Sequence, residues 1–118
     1  MSILRVDNFG PSAGGTTYSA GGIAKAWVNF NGTGTVAIRD SENVSSLTDL
    51  GTGRYRPSYS NAMSASLNYG ITSSSNSGVA DIYGGENINT SFGTYVTDYS
   101  GTSVDHGYLL YTIHGDLA

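Results

Sequence analysis

A chain of 118 residues has room for one domain, and with only 12% charged side chains its surface is built from Gly, Ser, Thr, Asn and Tyr, not the Lys and Glu of helix exteriors. Five basic residues against nine acidic ones leave a net charge of -4, with no basic cluster beyond Arg54 and Arg56, which argues against nucleic-acid binding and against an anionic membrane as partner. The lack of cysteine removes disulfides, thiolate chemistry and cysteine zinc sites, so oligomerisation is the obvious remaining source of extra stability.

At the amino terminus, MSILRVDNFG carries neither a basic run nor an apolar core of signal-peptide length, and no later stretch approaches the roughly 20 apolar residues of a membrane span. A soluble protein with no export signal and no membrane insertion is expected. The segment GPSAGGTTYSAGG that follows is too small and polar to bury much area. Residues 1–22 therefore read as a linker or extended arm, and 23–118 as the domain proper.

From Ile23 onward, apolar residues alternate in short bursts: Ile23–Asn31, Thr35–Asp40, Asn43–Asp49, Arg54–Ser60, Leu67–Thr72, Val79–Tyr83, Ser91–Asp98 and Gly107–His114. Turn chemistry separates them: NGTG at Asn31–Gly34 and LGTG at Leu50–Gly53 supply residues that tolerate positive φ, and SSSNSG, GGEN and YSGTS mark further loops. About eight short strands without a sustained helical period predict an all-β fold, an antiparallel β-sandwich or barrel. SNAMSASL, at Ser60–Leu67, is read as a possible helical turn.

The first strand raises a question. Ala24, Ala26, Val28 and Phe30 form one apolar row, while Lys25, Trp27 and Asn29 form the other. Trp27 is too large and apolar for an ordinary wet face. Tyr95 and Tyr99 likewise oppose Phe92 and Val96, and rings with a polar handle suit subunit contacts and sugar-binding surfaces.

No convergent catalytic set is visible. His106 and His114 lack an accompanying HExxH, GxSxG or phosphate-cradling GxxxxGK motif. Asp40, Glu42, Asp49, Asp81, Glu86, Asp98 and Asp105 offer pairs of the kind a glycosidase uses, but most flank turns, where Asp hydrogen-bonds nearby backbone. GTGTV joins two strands with no helix to receive an anion, so it reads as a hairpin turn. No metal, cofactor or catalytic residue is assigned, and a small depolymerase or glycosidase module is the weakest reading.

The stretch AKAWVNFNGTGTVAIRDSENVSSLTDLGTGRY, from Ala24 to Tyr55, together with the opener SILRVDNF and the close SGTSVDHGYLLYTIHG, resembles a domain near the carboxyl ends of tail-fibre and related virion proteins of tailed bacteriophages. Many of those phages have marine or cyanobacterial hosts. The similarity covers more than half of the chain, in order. The chain departs from the pattern after GTG, where RYRPSYSNAMSASLNY replaces a DYTVNF-like run, and Pro57 points to an edge strand at Arg54–Tyr59.

The resemblance implies a homotrimeric fibre or tip domain, assembled in the host bacterial cytoplasm, located in the virion tail, and without chemistry of its own. It also implies partners: sister chains, and other tail or virion proteins held through the amino-terminal arm. In such an assembly Trp27, with Lys25 and Asn29, would form the subunit interface. The alternative is that Trp27 merely caps one end of the monomer core.

If each strand reverses its predecessor, the loops at Gly32–Gly34, Leu50–Gly53, Ser73–Gly78 and Tyr99–His106 share one end. Those at Ser41–Glu42, Asn61–Ser66 and Gly85–Thr90 share the other, with the arm. The first group would be distal and would suit a glycan on the host surface, with Thr33, Ser74, Asn76, Tyr99, Asp105 and His106 as candidate receptor-binding residues. The competing structural reading is a decoration or adaptor protein that clamps neighbouring virion proteins without binding a receptor.

Overall fold

Alternating burial along the chain becomes two layers of strands. The computed structural model describes residues 2–118. Its strands are β1 (Asn8–Phe9), β2 (Tyr18–Ser19), β3 (Ala26–Asn31), β4 (Ala37–Glu42), β5 (Val44–Gly51), β6 (Arg54–Tyr59), β7 (Tyr69–Ser75), β8 (Val79–Ile88), β9 (Ser91–Thr97) and β10 (Leu109–Gly115). One sheet runs in the order β4-β3-β10-β7 and a second in the order β5-β6-β9-β8, with every pairing antiparallel. The fold is all-β and sandwich-like. Among the described residues no helix is long and apolar enough to cross a membrane.

The core lies between the central strands. Ala26, Val28 and Phe30 of β3 and Leu109, Tyr111 and Ile113 of β10 point inward from the first sheet. Tyr55, Pro57 and Tyr59 of β6 meet them from the second, with Phe92, Thr94 and Val96 of β9. Rings dominate: Phe30 stacks on Tyr111 at 6.1 Å between centroids and meets Tyr55 edge-on at 5.2 Å. Burying each such side chain stabilises the fold by about 1.5–3 kcal/mol.

Two edge-to-edge turns close the sides of the sandwich. The edges β4 and β5 are joined at Asn43, whose φ is 56°, and the edges β7 and β8 at Asn76–Gly78, where Gly78 has a φ of 72°. Ser73 Oγ donates to the Ala80 carbonyl at 2.6 Å across the second of these gaps.

Four local expectations are corrected. β6 is an interior strand, not an edge, and Pro57 is fully buried in it. Tyr55 donates its N–H to Thr94 Oγ1 on β9 and Tyr59 donates to the Thr90 carbonyl, so the Pro57 nitrogen between them faces the same side. There the β6–β9 register lapses between Tyr55 and Ser58, and the ladder tolerates the missing donor. Ser60–Leu67 forms no helical turn; Met63 bridges to Leu117 and inserts into the core instead.

The GGEN stretch is not a loop: β8 continues through it to Ile88 by way of an irregularity between Tyr83 and Ile88. Finally, β7 runs through Ser74, which pairs with Leu110 instead of sitting in a loop. In the amino-terminal segment, Asn8–Phe9 pairs with Tyr18–Ser19 as a small ribbon, and a 3-10 turn spans Ala20–Gly22.

Candidate functional site

The connections β3–β4, β5–β6, β7–β8 and β9–β10 gather at one end of the sandwich. The Gly32 N–H donates to the His106 carbonyl at 2.9 Å, and the Gly53 N–H donates to Asp105 Oδ1 at 2.8 Å. Asn76 and Tyr108 exchange two bonds, Asn76 N–H to the Tyr108 carbonyl at 3.3 Å and Tyr108 N–H to Asn76 Oδ1 at 3.2 Å. The amino-terminal segment enters at the opposite end, where Lys25 N–H donates to the Ile113 carbonyl at 2.8 Å.

Glycine makes the gathering possible. A Cβ on Gly32 would strike the Tyr55 hydroxyl and the His106 carbonyl oxygen. Into the space it leaves reaches the Tyr55 phenol, 2.8 Å from the Gly32 carbonyl oxygen and 2.7 Å from Asp105 Oδ1, with one proton to donate between them. Burial, then the Asp105 carboxylate, push the Tyr55 phenol well above the usual tyrosine value.

The six candidate binding residues separate into two groups. Thr33, Asn76, Tyr99 and Asp105 are exposed at this end, Tyr99 to 83%. Thr33 is held by Asn31, whose Oδ1 accepts from the Thr33 hydroxyl at 2.7 Å and its N–H at 3.1 Å. Tyr99 stands on a turn built by Asp98, whose Oδ1 accepts from the N–H groups of Ser100 and Thr102 and from the Ser100 hydroxyl. Those bonds, led by the Ser100 hydroxyl, hold the Asp98 carboxyl below the usual aspartate value.

Asp105, His106 and Ser74 are differently employed, Asp105 although its residue is exposed. Asp105 turns Oδ1 inward to Tyr55 and Gly53, bracing the loops. His106 is only 7% exposed, and its Nδ1 is buried with no hydrogen-bond partner. Its side chain packs beneath Gly78, so it is a floor for the loops and not a contact on their surface. Ser74 is exposed on the outer face of the first sheet, beside Leu110.

Lys25, Trp27 and Asn29 share the outer face of the first sheet, each half-buried. Trp27 lies directly across from Glu42 on one side and Thr112 on the other. Asn29 Oδ1 accepts from Arg39, which also donates to the Gly107 carbonyl. Lys25 Nζ donates to the Ile23 carbonyl at 3.0 Å. The core row opposite, Ala26, Val28 and Phe30, is fully buried, so the indole is outside the hydrophobic interior.

Among the acidic residues Asp49 and Asp98 serve turns, whereas Asp40 and Asp81, expected beside turns, lie within β4 and β8 and accept from the next residue of the strand. Asp49 accepts from Gly51 N–H, Asp40 from Ser41 N–H and Asp81 from Ile82 N–H. Glu86 differs: its Oε1 accepts from Arg54 Nη2 at 3.2 Å and Arg56 Nη2 at 3.0 Å. This cluster was half-legible, since spacing by two puts both arginines on one strand face, but GGEN reads as a turn and hides their partner.

The class that the fold defines is an all-β protein of two antiparallel sheets, and among its described residues no group of His, Asp and Glu is arranged to hold a metal ion. No protein-family model, curated protein or solved structure matches the chain.

Proposed function

We propose that this chain is a non-enzymatic structural protein of a tailed-bacteriophage virion, a homotrimeric tail-fibre or tail-tip component that contributes to attachment to host-surface polysaccharide. The observation that carries the reading is the opposition of two ends: polar loops with an exposed Tyr99 at one, and the entry of the amino-terminal arm at the other. Such a layout suits a domain mounted by its arm and presenting its far end. The sequence resemblance to tail-fibre carboxyl-terminal domains supports the setting, and the half-buried Trp27 face supports contact with sister chains.

Polar loops hold a glycan weakly, and three copies on one fibre raise the effective strength by avidity. Imaging of labelled intact virions tests the proposal directly. Copies in multiples of three at the tail, together with blocked adsorption by excess purified protein, are expected; host mutants lacking surface polysaccharide should resist the phage.

A second reading has its own observation. Ile3, Leu4, Val6 and Phe9 of the amino-terminal segment are exposed, an apolar strip suited to fastening onto a neighbouring protein. A decoration or adaptor protein would use that strip as a clamp and need no receptor. Many copies over the head, and loss of particle stability on deleting residues 2–22, would favour it over the first.

A further inference from the structure

The outer face of the second sheet holds a feature that neither the loops nor the Trp27 face uses. Alternation on β6 buries Tyr55 and Pro57 and turns Arg54 and Arg56 outward. Glu86 reaches them from the irregular part of β8 by lying over Gly93, where a Cβ would come within 2.8 Å of the Glu86 side chain. Both guanidiniums then share a single carboxylate oxygen.

Donors outnumber acceptors here. Each guanidinium carries five N–H groups, and each spends one of them on Glu86. The Arg54 Nε is buried and without a partner, as is Glu86 Oε2. The arginine side chains are 37% and 38% exposed against 18% for Glu86, so the arginines present more of the cluster's surface than the acid does. Asp81, across from Tyr95 on the same face, is the nearest further acid on β8, and its Oδ1 is taken by the Ile82 N–H.

Aromatic surface adjoins the donors. Arg54 Cζ stands 4.4 Å from the centre of the Tyr83 ring, and Arg54 pairs directly with Tyr95. Both rings are exposed, and Tyr95 Oη accepts from Ser103 Oγ at 3.2 Å, which ties the face to the β9–β10 loop. A planar guanidinium fork matches a carboxylate. A ring with one dry face and a polar edge matches the C–H face of a sugar.

We infer that Arg54, Arg56, Tyr83 and Tyr95 form a binding site for the carboxylate-bearing sugars of an acidic polysaccharide, with Glu86 as the internal carboxylate that holds the two arginines until a ligand arrives. The choice of a polysaccharide over an acidic peptide rests on the attachment reading. The carboxylate requirement rests on the donor excess alone.

Amide NMR of the intact chain, titrated with an oligogalacturonate, its carboxyl-reduced neutral counterpart and a poly-glutamate peptide, tests this. Saturable shifts at Arg54–Arg56, Tyr83, Glu86 and Tyr95 are expected for the oligogalacturonate, with binding at least about tenfold weaker for the neutral sugar. Arg54→Gln and Arg56→Gln should each weaken binding about tenfold. Glu86→Gln should strengthen it, because the amide keeps an acceptor for the arginines while removing the competing charge. A purely structural ion-pair cluster would show no such gain.

Equal binding of the neutral sugar, shifts confined to residues 32–34 and 99–106, tighter binding of the peptide, or no saturable shift at millimolar ligand would each overturn the inference. Phage adsorption blocked equally by wild-type and Arg54→Gln/Arg56→Gln protein would sink this site and leave the attachment reading standing. Oligogalacturonate binding by a chain that blocks no adsorption would do the reverse.

Discussion

The Tyr55 hydroxyl lies 2.7 Å from Asp105 Oδ1, a contact between the interior of β6 and the β9–β10 connection fifty positions along the chain. The same phenol reaches the Gly32 carbonyl at 2.8 Å, and the same carboxylate oxygen takes the Gly53 N–H at 2.8 Å. One buried ring therefore fixes the relative positions of three loops, and the end of the sandwich is assembled from inside.

Tyr55→Phe should keep the packing with Phe30 and remove only the hydroxyl. A destabilisation of about 1.5–3 kcal/mol is expected, the range for a hydrogen bond to a charged partner. Urea melts of Tyr55→Phe, Asp105→Ala and the double variant would check it. The two losses should fall short of adding, since they share one bond.

Gly53 and Gly34 both adopt positive φ, 69° and 60°, but only Gly53 is crowded. Alanine at Gly34 meets open space and should cost about 1–2 kcal/mol for the backbone conformation alone. At Gly53 the new Cβ would collide with the Val96 carbonyl oxygen as well, so Gly53→Ala should unfold far more readily. Thermal melts of the two single variants would separate strain from collision.

Burial raises the phenols of Tyr55, Tyr59, Tyr69 and Tyr111 above the usual value of 10.0. A raised folded value means that the neutral phenol is favoured in the fold, so this contribution is fully present below pH 10 and lost as pH rises beyond it. Absorbance at 295 nm should show these four phenols ionising in a late step that coincides with loss of the β-sheet circular dichroism. Their ionisation in an intact fold would contradict the burial.

The Asp98 carboxyl is held down by the turn it caps, so its contribution is present above the usual aspartate value of 3.8 and disappears as pH falls through the lower folded value. The amide signals of Ser100 and Thr102 should therefore move together, and below pH 3.8. Asp98→Asn should remove that titration and loosen the turn that carries Tyr99.

Trp27 tests self-association. Trp27→Ala should leave the core row of β3 intact and, on the proposed trimeric arrangement, weaken association by about 2 kcal/mol or more, the usual cost of truncating an interface tryptophan. Sedimentation and indole emission over a dilution series would read it: wild-type emission should shift to the red as the assembly separates. A folded lone chain with unchanged emission at every concentration would end the trimeric proposal.

Much of this architecture is written in local chemistry. A period of two decides which side chains share a face, so Val28 and Phe30, or Phe92 and Val96, are legible as core, and Tyr95 and Trp27 as members of the opposite rows, before any pairing is known. Glycines at 34, 51 and 53 mark the turns because few other residues accept positive φ. Strand reversal at each turn then places the four loops at one end.

Which strands become neighbours is a different matter. β3 pairs with β10, and β6 with β9, because burial of Phe30, Tyr55, Phe92 and Tyr111 in one cluster rewards contacts between distant segments. No local pattern carries that information. It made Pro57 interior rather than peripheral, buried His106 beneath Gly78, turned one carboxylate oxygen of the exposed Asp105 inward, and drew Glu86 from an apparent turn to the two arginines. Residue order alone settled the facing of side chains and the position of turns, since both depend on near neighbours; the partners of the polar groups were decided in three dimensions, where a hydrogen bond depends on what long-range packing brings within reach.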